Sequence, residues 1–137
     1  MARRYLLDTN TVSFIFKGNE AVLRRLSSIP MAQVAISAVT EGELRFGLAR
    51  RPEATRLRQT VEEFLLRVAI LPWDSEAAQQ YGRLRAGLEE LGLPMGNLDT
   101  MIAAHALSAG AVLVTNDKAF TRIKKLKIDD WTTGPQK

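Results

Sequence analysis

Residues 3–14 read RRYLLDTNTVSF, a short apolar run from Tyr5 to Leu7 that stops on Asp8, Thr9 and Asn10. A run this short suits a buried strand, and either Asp8 or Asn10 can cap a following helix by accepting one of its orphan backbone N–H groups. The next segment, TVSFIFKGN, closes at Gly18, so the start of the chain reads as strand, turn, helix. The question it raises is why a buried strand should end on a carboxylate.

The same alternation continues. A short helix over Glu20–Ser28 stops before Pro30, and QVAIS (33–37) has the β-branched content of a buried strand, with Ser37 placed to cap the next helix. Helical patterns over 38–50 and 53–67, separated by Pro52, predict a helical hairpin. VAILPW (68–73) predicts another strand, and Ser75 caps a helix to about Leu91, where GLPMGN marks a loop. Asn97 opens a helix that Gly110 ends, AVLVT (111–115) is the last clear strand, and the segment from Lys124 to Trp131 suits an edge strand. Strands alternating with helices imply an α/β fold with a parallel, doubly wound sheet, and 137 residues without repeats suit one domain, 1–137.

Composition narrows the class. The chain is 46% hydrophobic and 25% charged, with no apolar run of membrane-spanning length. It has no cysteine, which excludes disulfides and thiolate metal sites and fits the cytoplasm. A net charge of +4 favours anionic partners.

The acids are placed unusually. Asp8 and Asp117 follow strands, and in doubly wound sheets ligands gather outside the strands' carboxyl ends. Asp99, in MGNLDTMIAAHAL, shares a helical face with Ile102, Ala103 and Ala106, although an acid in a first turn also complements the helix dipole. Glu43 aligns with Val39 and Phe46, and Glu41 lies opposite; Leu44 and Leu48 make that side apolar too, so spacing leaves the two glutamates open. Converging carboxylates repel by roughly 4 kcal/mol per pair about 4 Å apart at an effective dielectric near 20, which a divalent cation such as Mg²⁺ offsets. With His105 the only histidine, zinc or a serine hydrolase triad is poorly supplied, and His105 reads as structural.

LLDTN, SAVTEGEL, GNLDTMIAAHAL and VLVTND, in this order, resemble the motifs of PIN domains, and most closely those of VapC toxins from toxin–antitoxin pairs. The resemblance implies a three-layer α/β/α fold with a central, mostly parallel sheet and assigns catalysis and metal binding to Asp8, Glu43, Asp99 and Asp117, selecting Glu43 over Glu41. It implies Mg²⁺- or Mn²⁺-dependent endoribonuclease activity leaving 5′ phosphate and 3′ hydroxyl ends, with Thr115 and Asn10 supporting the acids. It further implies a homodimer and a VapB-type antitoxin whose tail blocks the acids. Transfer or ribosomal RNA is the implied substrate class, with initiator transfer RNA suggested by the nearest lineages. Two departures stand out: Leu98 precedes the third acid where many relatives carry asparagine, displacing Asn97 by one, and Asn116 replaces a common basic residue, leaving Lys118 as its substitute.

RNA binding needs cations beside the acids, and Arg45, Arg50, Lys118 and Lys124 are the candidates. The hairpin carries apolar residues on more than one side (Leu44, Leu48, Phe64, Leu65, Leu66), which suits either a thick core or a face for a protein partner. Two rival readings are a non-enzymatic PIN subunit that tethers a DNA-binding partner and a PIN nuclease acting on DNA.

Overall fold

The computed structural model describes residues 3–133. In chain order the elements are β1 (Tyr5–Leu7), α1 (Thr9–Phe16), α2 (Glu20–Ser27), β2 (Val34–Ser37), α3 (Ala38–Arg50), α4 (Thr55–Arg67), β3 (Ala69–Leu71), α5 (Ser75–Glu90), α6 (Asn97–Ala109), β4 (Val112–Val114) and β5 (Ile128–Asp129). Short 3₁₀ helices cover Met31–Gln33 and Lys118–Arg122. The strands form one sheet in the order β3-β2-β1-β4-β5, and every neighbouring pair is parallel.

That order fixes where a ligand can sit. From β1 the chain builds outward through β2 and β3, then returns to the other side of β1 with β4 and β5. The connections therefore diverge between β1 and β4, and a crevice opens at the carboxyl ends of those two strands.

Alternation along the strands divides the core into two layers. Leu7, Val34, Ile36 and Val114 face Val12, Val22, Leu44, Val61, Phe64 and Leu65, contributed by α1 to α4. Leu6, Ala35 and Leu113 face Leu88, Ile102, Ala103, Ala106 and Phe120 on the opposite side. The result is the expected α/β/α sandwich. Leu6 and Leu7 are both fully buried, each contributing about 1.5–3 kcal/mol. A one-residue slip of β1 would exchange the layers they enter, so the register is firmly held.

Local chemistry sets the ends of the helices. Asp8, rather than Asn10, caps α1, its Oδ1 accepting the Thr11 N–H at 2.8 Å. α5 corrects the expected cap: Asp74, with extended backbone, accepts the Ala77 N–H at 3.0 Å, and Ser75 is the first helical residue. Gly110 ends α6 in the left-handed region at φ 63°, where a Cβ is disfavoured.

The hairpin formed by α3 and α4 mostly builds the core. Leu44, Leu48, Phe64 and Leu65 are buried, whereas Leu66 is 86% exposed. The segment after β4 was only partly foreseen: the Lys118–Arg122 turn buries Phe120, and the edge strand is just Ile128–Asp129. Beyond it Trp131 is 1% exposed, its ring 5.8 Å from that of Tyr5 and its Nε1–H donating to Asp129. Arg25 pairs with the same carboxylate at 2.6 Å, fastening α2 to the sheet edge. Among the described residues no helix is long and apolar enough to cross a membrane.

Candidate active site

Asp8 is placed by the sheet itself. Leu7 is in register with Val114, and the Asp8 N–H continues the ladder by donating to the Val114 carbonyl at 3.0 Å. The Thr11 hydroxyl donates to the same carbonyl at 3.0 Å, tying the first turn of α1 to β4. Asp8 as a residue is only 4% exposed. Burial pushes its pKa up, the hydroxyls of Thr115 and Thr11 and the Thr11 N–H partly offset that, and nearby Asp117 raises it further.

Asp117 arrives from β4, across the crevice. The Thr115 N–H donates to Asp129 at 3.0 Å, and the buried Thr115 hydroxyl accepts the Asp117 N–H at 3.0 Å. Asp117 then accepts the Ala119 N–H at 2.9 Å, capping the 3₁₀ turn. Thr115 therefore touches both acids of the switch point.

The helices supply the other two acids. The Thr9 hydroxyl donates to Glu43 Oε1 at 2.5 Å and lies 3.3 Å from the buried Thr40 hydroxyl, so α1 holds Glu43. Glu41 instead pairs with Arg45 at 2.9 Å, on the next turn of the same helix. Asp99 lies in the first turn of α6, with Ile102, Ala103 and Ala106 buried beneath it. Its carboxyl is raised by burial first, then by Asp117, Glu43 and Asp8. A single carboxyl that feels all three other acids places the four in one electrostatic field.

None of the four acids is held in an ion pair among the described residues, whose pairs involve Asp129, Glu41, Glu62, Glu63 and Glu89. All four offer hard oxygen donors, which suit Mg²⁺ or Mn²⁺. Among the described residues no three ligating side chains close around a single point. The donor set therefore fits an ion that takes a few carboxylates and keeps much of its water, as Mg²⁺ does.

Sequence reasoning missed Thr9 and the second role of Ser37. Ser37 caps α3 by accepting the Val39 N–H at 3.1 Å, and its hydroxyl also lies 2.8 Å from His105 Nδ1. One buried oxygen thus links the helix carrying Glu43 to the helix carrying Asp99. His105 is 3% exposed and its pKa is lowered by burial, slightly countered by Asp74, so it is neutral at pH 7 and structural as expected. Ser37→Ala should cost about 2–3 kcal/mol, from a lost cap and a buried imidazole nitrogen left unpaired. Urea unfolding measures this, and an unchanged midpoint would contradict the linkage.

The predicted cations are scattered. Arg50, with Lys17 and Arg51, lines a groove of about 490 Å³ between α1, α3 and α4, floored by residues including Phe16, Leu48 and Val61 and bordered by Thr9 and Glu43. Lys118 is exposed directly after Asp117. Arg45 is held by Glu41 and Glu62, and Lys124 lies on a different groove that none of the four acids lines. Asn10 and Asn97 are exposed in the first turns of α1 and α6.

Comparison with known proteins places these features in context. Residues 5–126 match the PIN domain family model. The chain is 37% identical over 129 residues to the tRNA(fMet)-specific endonuclease VapC of Salmonella typhimurium, covering 93% of this chain and 98% of that protein. Ribonuclease VapC2 of Rickettsia felis is 34% identical over 130 residues, covering 93% and 97%. In the DNA-bound VapBC crystal structure from Salmonella typhimurium, a chain superposes with a TM-score of 0.88 at 37% identity, covering 95% of this chain and 99% of that one.

Proposed function

Because this chain belongs to the PIN domain family, we propose that it is a VapC-type toxin: an endoribonuclease that cuts structured RNA and is neutralised by a VapB-type antitoxin. The observation that carries the reading is that Asp99 feels Asp117, Glu43 and Asp8 together at the sheet's switch point, while none of the four acids enters an ion pair among the described residues. These residues would hold Mg²⁺ or Mn²⁺. A bound divalent ion acidifies water and neutralises charge on a phosphoryl group undergoing in-line attack.

The protein's own contribution is positioning. Asp8 is fixed by the β1–β4 ladder, Asp117 by Thr115, and Glu43 by Thr9, so three of the four acids keep their places without a ligand. Asp99 makes no hydrogen bond of its own among the described residues and is free to adapt. Lys118, next to Asp117, and Arg50, beyond Glu43, would meet the RNA backbone on either side of the cut. Asn10, exposed in the first turn of α1, would orient water in the crevice.

The groove between α1, α3 and α4 suits the antitoxin, since an apolar segment seated there would bring its chain end beside Glu43. Exposed Phe46 and Leu66 on the hairpin are available for a homodimer contact. The Salmonella VapC is named for initiator transfer RNA, which makes that RNA the first substrate to test.

The deciding experiment incubates the purified chain with initiator transfer RNA in Mg²⁺ and maps new 5′ ends by sequencing. A discrete cut that disappears with chelator supports the reading, and no cutting of transfer or ribosomal RNA overturns it. Binding through phosphate contacts should also weaken at least about ten-fold between roughly 50 and 200 mM salt. KM measured across that range checks this, and a flat profile would remove Lys118 and Arg50 from the RNA path.

A further inference from the structure

A second groove, of about 620 Å³, lies between α5, the end of α6 and the segment after the 3₁₀ turn at Lys118–Arg122. Its floor is aliphatic: Leu84, Leu88, Leu91, Leu107 and Ile123. Its rim carries Arg83, Arg122, Lys124 and Lys125, and no acidic residue lines it. None of those cations enters an ion pair among the described residues. Leu91 is 71% exposed, so the aliphatic lining continues out to the surface at that end. Gly87 also lines it, and an added Cβ there would meet nothing within 4 Å, so a side chain at that position has room to enter the groove.

We propose that this groove is a docking site for an acidic amphipathic segment of a partner protein. The floor calls for apolar side chains and the rim for carboxylates, and a helix with leucines on one face and acids beside them supplies both. Two other occupants fit less well. Single-stranded RNA binds through aromatic stacking, and no aromatic residue lines the groove. A second copy docking through its two most exposed hydrophobics outside this groove and next to a cation, Phe46 under Arg50 or Leu66 beside Arg67, would bring positive charge against a rim already cationic. None of the four acids lines the groove, so the site is independent of the nuclease reading.

The test is fluorescence anisotropy of the full chain with a labelled helical peptide carrying leucines at i, i+4 and i+7 and glutamates elsewhere. A peptide of the same composition with its leucines spread around the helix is the comparison. Binding on the order of micromolar is expected for the first and at least about ten-fold weaker binding for the second. Gly87→Leu fills the groove and raises helix propensity, so it should fold and still lose the peptide at least about ten-fold. Lys124→Glu with Lys125→Glu should do the same, while Arg24→Glu with Arg67→Glu, an equal charge change on distant exposed residues, should not. Equal binding of both peptides, or of Gly87→Leu and the unmodified chain, overturns the proposal. Displacement of the peptide by oligouridine would hand the face to RNA, and a dimer that dissociates in Gly87→Leu, seen by sedimentation, would hand it to a second copy; each result refutes it.

Discussion

Asp8→Asn is expected to fold normally and to cut RNA about a hundred- to a thousand-fold more slowly, judged by the cost of removing one charged or hydrogen-bonding group from a preorganised site. Asparagine caps helices as well as aspartate does, so the Thr11 N–H keeps its partner. The substitution also relieves the burial that raises the Asp8 pKa, so its melting point should equal or exceed that of the unmodified chain. Asp8→Ala behaves differently: it strands a buried N–H and should cost about 1–3 kcal/mol on top of losing activity. Together the two variants separate the helix cap from the chemistry. An Asp8→Asn protein that keeps activity within ten-fold would reduce Asp8 to a cap.

The second large effect is on stability. Asp8 and Asp99 are raised by burial and by their neighbouring acids, and an ion that binds only the folded state would offset that repulsion. At a free concentration of about 100 times its Kd, such an ion stabilises by about 2.7 kcal/mol, roughly 8–10 °C in a chain of this size. Mg²⁺ or Mn²⁺ at neutral pH should raise the Tm accordingly, and chelator should reverse it. Asp99→Asn should start higher than the metal-free parent and gain little from metal.

The pH dependence rests on the same groups. Burial and neighbouring acids raise the Asp99 and Asp8 carboxyls in the folded state. Folding then favours their protonated forms, so their contribution is complete below the unfolded value of about 3.9 and is lost as pH rises through the raised values. His105 works oppositely: its lowered pKa gives stability that is fully present above the unfolded value near 6.5 and is lost as pH falls from there through the lowered folded value. Comparing the metal-free parent with Asp99→Asn at each pH isolates the acids. Their Tm gap should close as pH falls from 7 toward 4, and a constant gap would mean that Asp99 is unstrained.

The sheet and its binding edge were legible because apolar runs ending on Asp8 and Asn116–Asp117 leave few other arrangements. Asp99 was legible because α6 buries Ile102, Ala103 and Ala106 on the face beneath it. Glu43 was harder. The stripe joining it to Phe46 suggested a buried side, yet Phe46 is 62% exposed with Arg50 stacked on it. What orients Glu43 is a hydroxyl from residue 9, a contact spanning 34 positions that no helical period encodes. The α5 cap was misplaced by one residue because Asp74 and Ser75 are both good caps, and only backbone geometry chooses between them. Trp131 left no periodic signal either, since its partners Tyr5 and Arg25 come from the far end of the chain.

The strand order also sets a timetable for synthesis. β1 is made first but acquires β4 only after residues 112–114 exist, and Asp117 comes after them. Until then Asp8 has neither the carbonyl that anchors its backbone nor the acid that shares its crevice. Asp99 comes only shortly before. A nascent chain that stops short of β4 therefore holds Asp8 and Glu43 without their crevice, and on the proposed reading it should leave RNA intact until residues 112–117 have been made.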